Sequence, residues 1–167
     1  MKKITTFWKV NEENGYLSNW RMAPFIYENM KFQNTEQAFM YLKAKLFGDE
    51  ESMKHILATA DPKICKSIGR EVYPFEQKLW DKEKYKIMLD VNIEKYRQNS
   101  ALRAYLLATG DDLLVEASPV DKVWGAGVSA DKIKTEEDIT GENLLGKVLM
   151  EVRDLFRSGN ETCKIGQ

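Results

Sequence analysis

Glu36, Met40, Lys43 and Phe47 follow one another at offsets of four, seven and eleven along a stretch of helical periodicity, so they share one helix face. That face is distinct from the stripe of Ala38, Leu42 and Leu46. An acid and a base thus look the same way, two turns or roughly 10 Å apart along the axis. They are too far apart for a direct ion pair unless both bend inward, yet a small substrate fits between them. On a surface helix the same two residues are only hydrated charges, and the residues alone favour that plainer reading. A second constellation is Val115-Glu116-Ala117-Ser118-Pro119-Val120-Asp121-Lys122-Val123-Trp124-Gly125-Ala126-Gly127. Here an apolar strand delivers a Ser-Pro turn, a carboxylate and a Trp beside glycines. A loop of that kind offers a ligand an acid, an aromatic platform and closely approaching backbone N–H groups. A place in the core is the equal alternative for Trp124.

Other catalytic designs fail by inventory. His55 is the single histidine and sits on a polar, lysine-flanked segment, which suits a solvated side chain better than a Ser-His-Asp triad and rules out histidine-based metal hydrolysis. Cys65 and Cys163, nearly a hundred residues apart, are too few for a disulfide framework or a zinc site and read as reduced thiols. No metal and no cofactor are expected. Gly141 to Lys147 has the glycine and lysine spacing of a phosphate-binding loop, but Val148 stands at the Ser/Thr position and a long loop precedes it. Gly125-Ala126-Gly127 lacks the third glycine and following helix of a dinucleotide fingerprint.

The 167 residues suit one domain, 1–167, and 43% hydrophobic with 31% charged residues describes a globular chain with a real core. With 25 basic against 26 acidic side chains the net charge is −1, so no bulk field recommends a nucleic-acid duplex or an anionic membrane. No apolar run approaches a membrane span and the N-terminus lacks the apolar stretch of a signal peptide, so a cytoplasmic location is expected. The sequon Asn160-Glu161-Thr162 is accordingly set aside.

The elements that must hold these residues can be read from periodicity. Phe25 to Phe32 alternates around Glu28-Asn29, which predicts short strands or a hairpin. Asn34 and Gln37 resemble a capping box opening a helix that Gly48 stops. Asp49 caps a second helix, and Asp61-Pro62 opens a third that ends at Gly69. A longer helical stretch runs from Phe75 to about Gln98, with Asp81 available to cap a restart. Ser100 caps the next helix, Leu113 to Ala117 is a buried strand, and Ser118 to Glu142 is a long loop. Asn143 caps a last helix striped with Leu144, Leu145, Val148, Leu149, Val152 and Leu155. The fold class is α+β and helix-dominated, with a few short strands.

The motifs Tyr16-Leu17-Ser18-Asn19-Trp20, Asn34 to Lys43, Ile68-Gly69-Arg70, Trp80, Leu106 to Asp111, Leu114 to Gly127 and Asn143 to Arg153, in that order and spacing, resemble those of the NADAR or YbiA-like family. The likeness covers about residues 7–156 and leaves 157–167 as a tail. It implies a helix-rich domain with N-glycosidase activity toward phosphorylated riboflavin-pathway intermediates or ADP-ribose attached to guanine bases, in nucleic acid among other settings. It also implies that Glu36, Lys43 and Asp121 are catalytic, and that Ser18, Asn19, Arg70, Trp80, Ser118, Trp124, Gly125, Gly127 and Asn143 bind substrate. This chain departs from many members by carrying Gln37 where they have His, and Ala126 where they have Ile or Asp. Proton relay through that His is thus absent.

Breaking a ribosyl C1–N bond builds positive charge on the sugar and negative charge on the departing base. Glu36 and Asp121 can supply anions, Trp80 and Trp124 stacking faces, and Lys43 and Arg70 a hold on phosphate or a hydrogen bond to the base. Alternatively Lys43 attacks C1 of a ring-opened imine. The electrostatic role is slightly favoured, because nothing in the local sequence shows the burial that would make this lysine neutral. A module that binds ADP-ribose or a nucleotide without cleaving it is the competing class.

Overall fold

The computed structural model describes residues 1–159; Cys163 and the sequon lie outside them. The described chain forms two compact units, one of Met1–Ser18 with the chain from Ser100 onward, the other Asn19–Asn99.

In the first unit, strand β1 (Ile4–Phe7) pairs in parallel with β4 (Leu113–Glu116), Ile4 facing Leu113 and Phe7 facing Glu116. Helix α5 (Ser100–Ala108) leads into β4, and helix α6 (Leu144–Arg157) packs on it. The stripe of Leu145, Val148, Leu149 and Val152 is buried as its spacing requires. Gly146 permits that approach, since a Cβ there would lie 2.1 Å from the Leu114 carbonyl oxygen. Asn143 does not cap α6 through its side chain; with φ at 50° it turns the chain and bonds β4 instead. Its Oδ1 accepts from the Glu116 N–H at 3.1 Å and its Nδ2 donates to the Leu114 carbonyl at 2.9 Å.

The second unit opens with a hairpin, β2 (Met22–Tyr27) antiparallel to β3 (Met30–Asn34). Glu28 and Asn29 both have positive φ, the paired left-handed geometry whose twist matches the flanking strands. Helices α1 (Thr35–Leu46), α2 (Glu50–Leu57), α3 (Pro62–Arg70) and α4 (Gln77–Gln98) follow, and α1 touches the other three and β3. The sequence reading favoured a surface helix with hydrated charges opposite its Ala38, Leu42 and Leu46 stripe, but nine of its 12 residues are buried, because α2, α3, α4 and β3 all pack against it. Two other expectations are corrected. Gly69 does not end α3; it lies within the helix as the seat of Met40, whose Sδ would be 1.9 Å from a Cβ. Asp81 does not restart α4, which runs unbroken from its Glu76 cap; Asp81 instead accepts from Lys84 and Gln77.

Lys95 of α4 is fully buried, and burial first, then the nearby charge of Arg21, lowers its pKa to about 7. The unfolded chain, with an ordinary lysine, therefore binds more protons than the native state between pH 7 and about 10, and stability rises with pH across that window. The penalty is fully present below pH 7 and is lifted above it. From pH 7 to 9 this one group is worth about 2 kcal/mol. Calorimetric melts of wild type and Lys95→Met across this range should show the wild-type gain and its loss in the variant.

Candidate active site

Glu36 is the second residue of α1 and only 7% exposed. Its placement follows from a local chain of bonds. The Asn34 side chain accepts from the Gln37 N–H at 2.9 Å, which starts the helix, and the Glu36 N–H donates to the Asn19 carbonyl at 3.0 Å. Gln37 does not complete the expected reciprocal box with Asn34. Its Oε1 accepts from the Gln33 N–H at 2.8 Å, while its Nε2 donates to the Ile56 and Thr59 carbonyls at 3.1 and 2.7 Å. Gln37 is thus a three-way backbone clamp on the helix that bears Glu36.

Lys43, two turns on, is half-buried, with Nζ 5.0 Å from the centre of the Phe75 ring and 5.2 Å from that of Trp80. Phe47 packs on Phe75 at 5.0 Å and Phe39 on Trp80 at 5.2 Å. Burial holds the lysine below its ordinary pKa, and the Glu36 charge opposes that shift in part. The structure therefore excludes two hydrated surface charges and supplies the burial that sequence reading could not see. Trp80, expected to stack on a base, is 8% exposed and gives its ring to Lys43 and Phe39. Buried Cys65 on α3 is no competing nucleophile, since burial first, then the charges of Glu36 and Asp61, push its thiol up to about 11.

Around Glu36 two buried polar atoms have no hydrogen-bond partner among the described residues, Asn19 Oδ1 and Thr35 Oγ1. Asn19 Nδ2 contacts Met88 Sδ at 3.4 Å. Orphaned buried groups are rare in folded proteins and mark places where a ligand or water completes the bonding. Asn19 was legible from its motif and Phe47 from its place on the Glu36 face; Phe75 was not singled out for the site, although it stands one residue before the α4 cap, where an apolar side chain is commonly fixed by packing. Arg70 is exposed at the end of α3, and His55 is exposed on α2 in a groove with Asp49, Ser52 and Glu71.

In the first unit the loop after β4 is tied by Asp121. Its N–H donates to Ser118 Oγ at 3.1 Å, and its Oδ1 accepts from the N–H groups of Val123 and Trp124, both at 2.9 Å. Ser18 is buried at the end of a short turn, its N–H on the Gly15 carbonyl. Two of the three backbone N–H groups from Gly125 to Gly127 are bonded within the loop and to the end of β4. The N–H groups of Ala126 and Gly127 go to the Glu116 and Asp121 carbonyls, and Gly125 is small because a Cβ would meet Asp121 O at 2.9 Å. The side chains of Ser118, Asp121 and Asn143 therefore shape this loop and its strand, and the loop holds out a half-buried Trp124. Trp124→Ala should weaken binding of nucleobase-containing ligands by about 1 to 3 kcal/mol, the usual worth of one stacked base, with little change in melting temperature. Calorimetric titration beside a thermal melt checks this; unchanged affinity with a collapsed melt would assign Trp124 the core role.

A helix-rich α+β fold that carries a buried Glu36 and a half-buried Lys43 on one helix is the frame in which the relatives of this chain are met. The NADAR domain family matches residues 6–157, and the chain belongs to it. It is 41% identical over 129 residues to an N-glycosidase of Acanthamoeba polyphaga mimivirus, covering 76% of each chain. It is 31% identical over 152 residues to an N-glycosidase of Nostoc punctiforme, covering 91% of this chain and 92% of that one. The NMR structure of the Escherichia coli protein YbiA superposes with a TM-score of 0.79 at 26% identity, covering 97% of this chain and 89% of the other. The activity class that follows is hydrolysis of an N-glycosyl bond. No helix among the described residues is long and apolar enough to cross a membrane.

Proposed function

We propose that the protein hydrolyses the ribosyl C1–N bond of a small nucleotide-like substrate, either a phosphorylated riboflavin-pathway intermediate such as ribosylaminopyrimidine phosphate or ADP-ribose attached to guanine, in the cytoplasm. The observation that carries this reading is the buried Glu36 on one helix with a half-buried Lys43 whose proton is loosened by its surroundings. A module that only bound its ligand would have no use for an acid and a base brought out of water together, since burying them carries a desolvation cost.

The chemistry divides between the two. A ribosylamine opens to an imine at C1, and the neutral amine of Lys43 adds to that carbon. A proton passes from the lysine nitrogen to the nitrogen of the base, the C1–N bond to the base breaks, and a lysine imine is left. Water then adds to C1 and the lysine departs, releasing the sugar. Glu36 stabilises the positive charge on C1 and the imine nitrogen in both halves and can take the proton of the attacking water. Asn19 and Thr35, with unmet bonding capacity beside Glu36, are placed to hold that water or a ribose hydroxyl.

Incubation of the pure protein with ribosylaminopyrimidine phosphate and with ADP-ribosylated guanosine, followed by chromatography with mass detection, tests this directly. Release of free base and sugar from either is the expected result. Tight binding of one with neither cleaved would overturn it in favour of a binding module.

A further inference from the structure

We propose that Phe75 is a positioning residue for Lys43, its ring standing with that of Trp80 against the ammonium and keeping water from it. The proposal rests on Lys43 acting as described above and adds a residue outside the motifs that carry the family likeness. Phe75 sits in the connection between α3 and α4 and is 41% exposed, so it is not there to fill the core. It is nonetheless held, because Phe47 at the end of α1 packs on it at 5.0 Å. Its ring centre lies 5.0 Å from Lys43 Nζ, as close as the buried Trp80 does at 5.2 Å. Trp80 cannot move without disturbing Phe39, whereas Phe75 forms the outer wall.

Two opposed effects act on the lysine here. A ring face favours the ammonium, and exclusion of water disfavours it. Exclusion wins, since burial is the largest influence on Lys43 and its pKa lies below the ordinary value. The charge that reaches it is that of Glu36 on its own helix. Of the groups on neighbouring elements, Glu76 is taken up by the first N–H groups of α4, Asp81 pairs with Lys84, and Cys65 on α3 is a neutral thiol. Removing the outer wall therefore readmits water and returns the lysine toward its ordinary range.

Competitive acetylation of the full chain with trace acetic anhydride, read by mass spectrometry as a function of pH with exposed Lys63 as internal reference, measures this without any need for activity. In wild type the Lys43 midpoint should lie below that of an ordinary lysine. In Phe75→Ala it should rise, and labelling at any pH well below the midpoint, scaled to Lys43 labelling on its high-pH plateau, should fall about threefold for each half unit of rise. Phe75→Tyr should restore wild-type behaviour, and Phe75→Thr serves if the alanine variant folds poorly. With substrate, the acid limb of the kcat profile in Phe75→Ala should move up in parallel while KM holds. An unchanged Lys43 midpoint in a folded Phe75→Ala or Phe75→Thr protein overturns the proposal. An enzyme that cleaves neither substrate, yet shows the midpoint shift, leaves Phe75 in its role and removes the hydrolysis reading instead.

Discussion

Glu36→Gln is expected to lower turnover by about a hundredfold or more and to leave the fold in place. The two side chains are nearly the same shape, so the change removes charge and little else. Glu36 sits in a buried position, where one carboxylate facing a developing cation lowers the barrier by about several kcal/mol. About 2.7 kcal/mol corresponds to a hundredfold. The melting temperature should hold or rise, because an ionised group is no longer kept from water. The loss also has an electrostatic signature. Glu36 supports the protonated form of Lys43 and raises the thiol of Cys65, so both pKa values should fall in the variant. Steady-state kinetics beside a thermal melt decide the matter, and wild-type turnover in Glu36→Gln would remove Glu36 from the mechanism.

Lys43 should give the larger effect. If its amine bonds to C1, Lys43→Met and Lys43→Arg are both expected to lose about a thousandfold or more, since neither thioether nor guanidinium can form the imine. Borohydride added during turnover should trap an adduct whose mass maps to Lys43. The pH dependence has a definite sign. The reactive form is neutral, so the rate falls as pH drops through the lowered lysine pKa and is kept above it. An electrostatic role predicts the opposite set: no adduct, appreciable activity in Lys43→Arg, and a loss chiefly in substrate affinity. These outcomes exclude one another, so a single trapping experiment with the arginine variant alongside chooses between them.

The shared face of Glu36 and Lys43 was readable because helical spacing is a local property, and the hairpin was readable because Glu28-Asn29 lies between alternating apolar residues. Their burial was not. It comes from α2, α3 and α4 closing over α1, and long-range packing leaves no periodic trace in the residues it covers. For the same reason Gly69 looked like a helix stop, when its smallness answers to Met40 29 residues earlier in the chain. Asn143 looked like a cap because cap and strand clamp use the same side chain, and only the position of β4 tells them apart. At Gly125 and Gly127 spacing gives no answer, because small residues serve a folded loop and a bound phosphate equally well. The ring that stands over Lys43 Nζ belongs to Phe75, 32 positions away, which no spacing rule connects to it.

Gln37 has a consequence for how this lineage can change. Its amide meets one N–H and two carbonyls at once, joining the end of β3 to the end of α2. A neutral imidazole has one donor and one acceptor, so it can satisfy no more than one of those carbonyls. Exchange to histidine would strand the other, at about 1 to 3 kcal/mol. The position is therefore entrenched: its history is tied to the backbone at Ile56 and Thr59, and a histidine becomes tolerable only after that segment has shifted. Ancestral or chimeric chains that exchange residue 37 together with the stretch from 56 to 60 should keep their footing where the single exchange loses it.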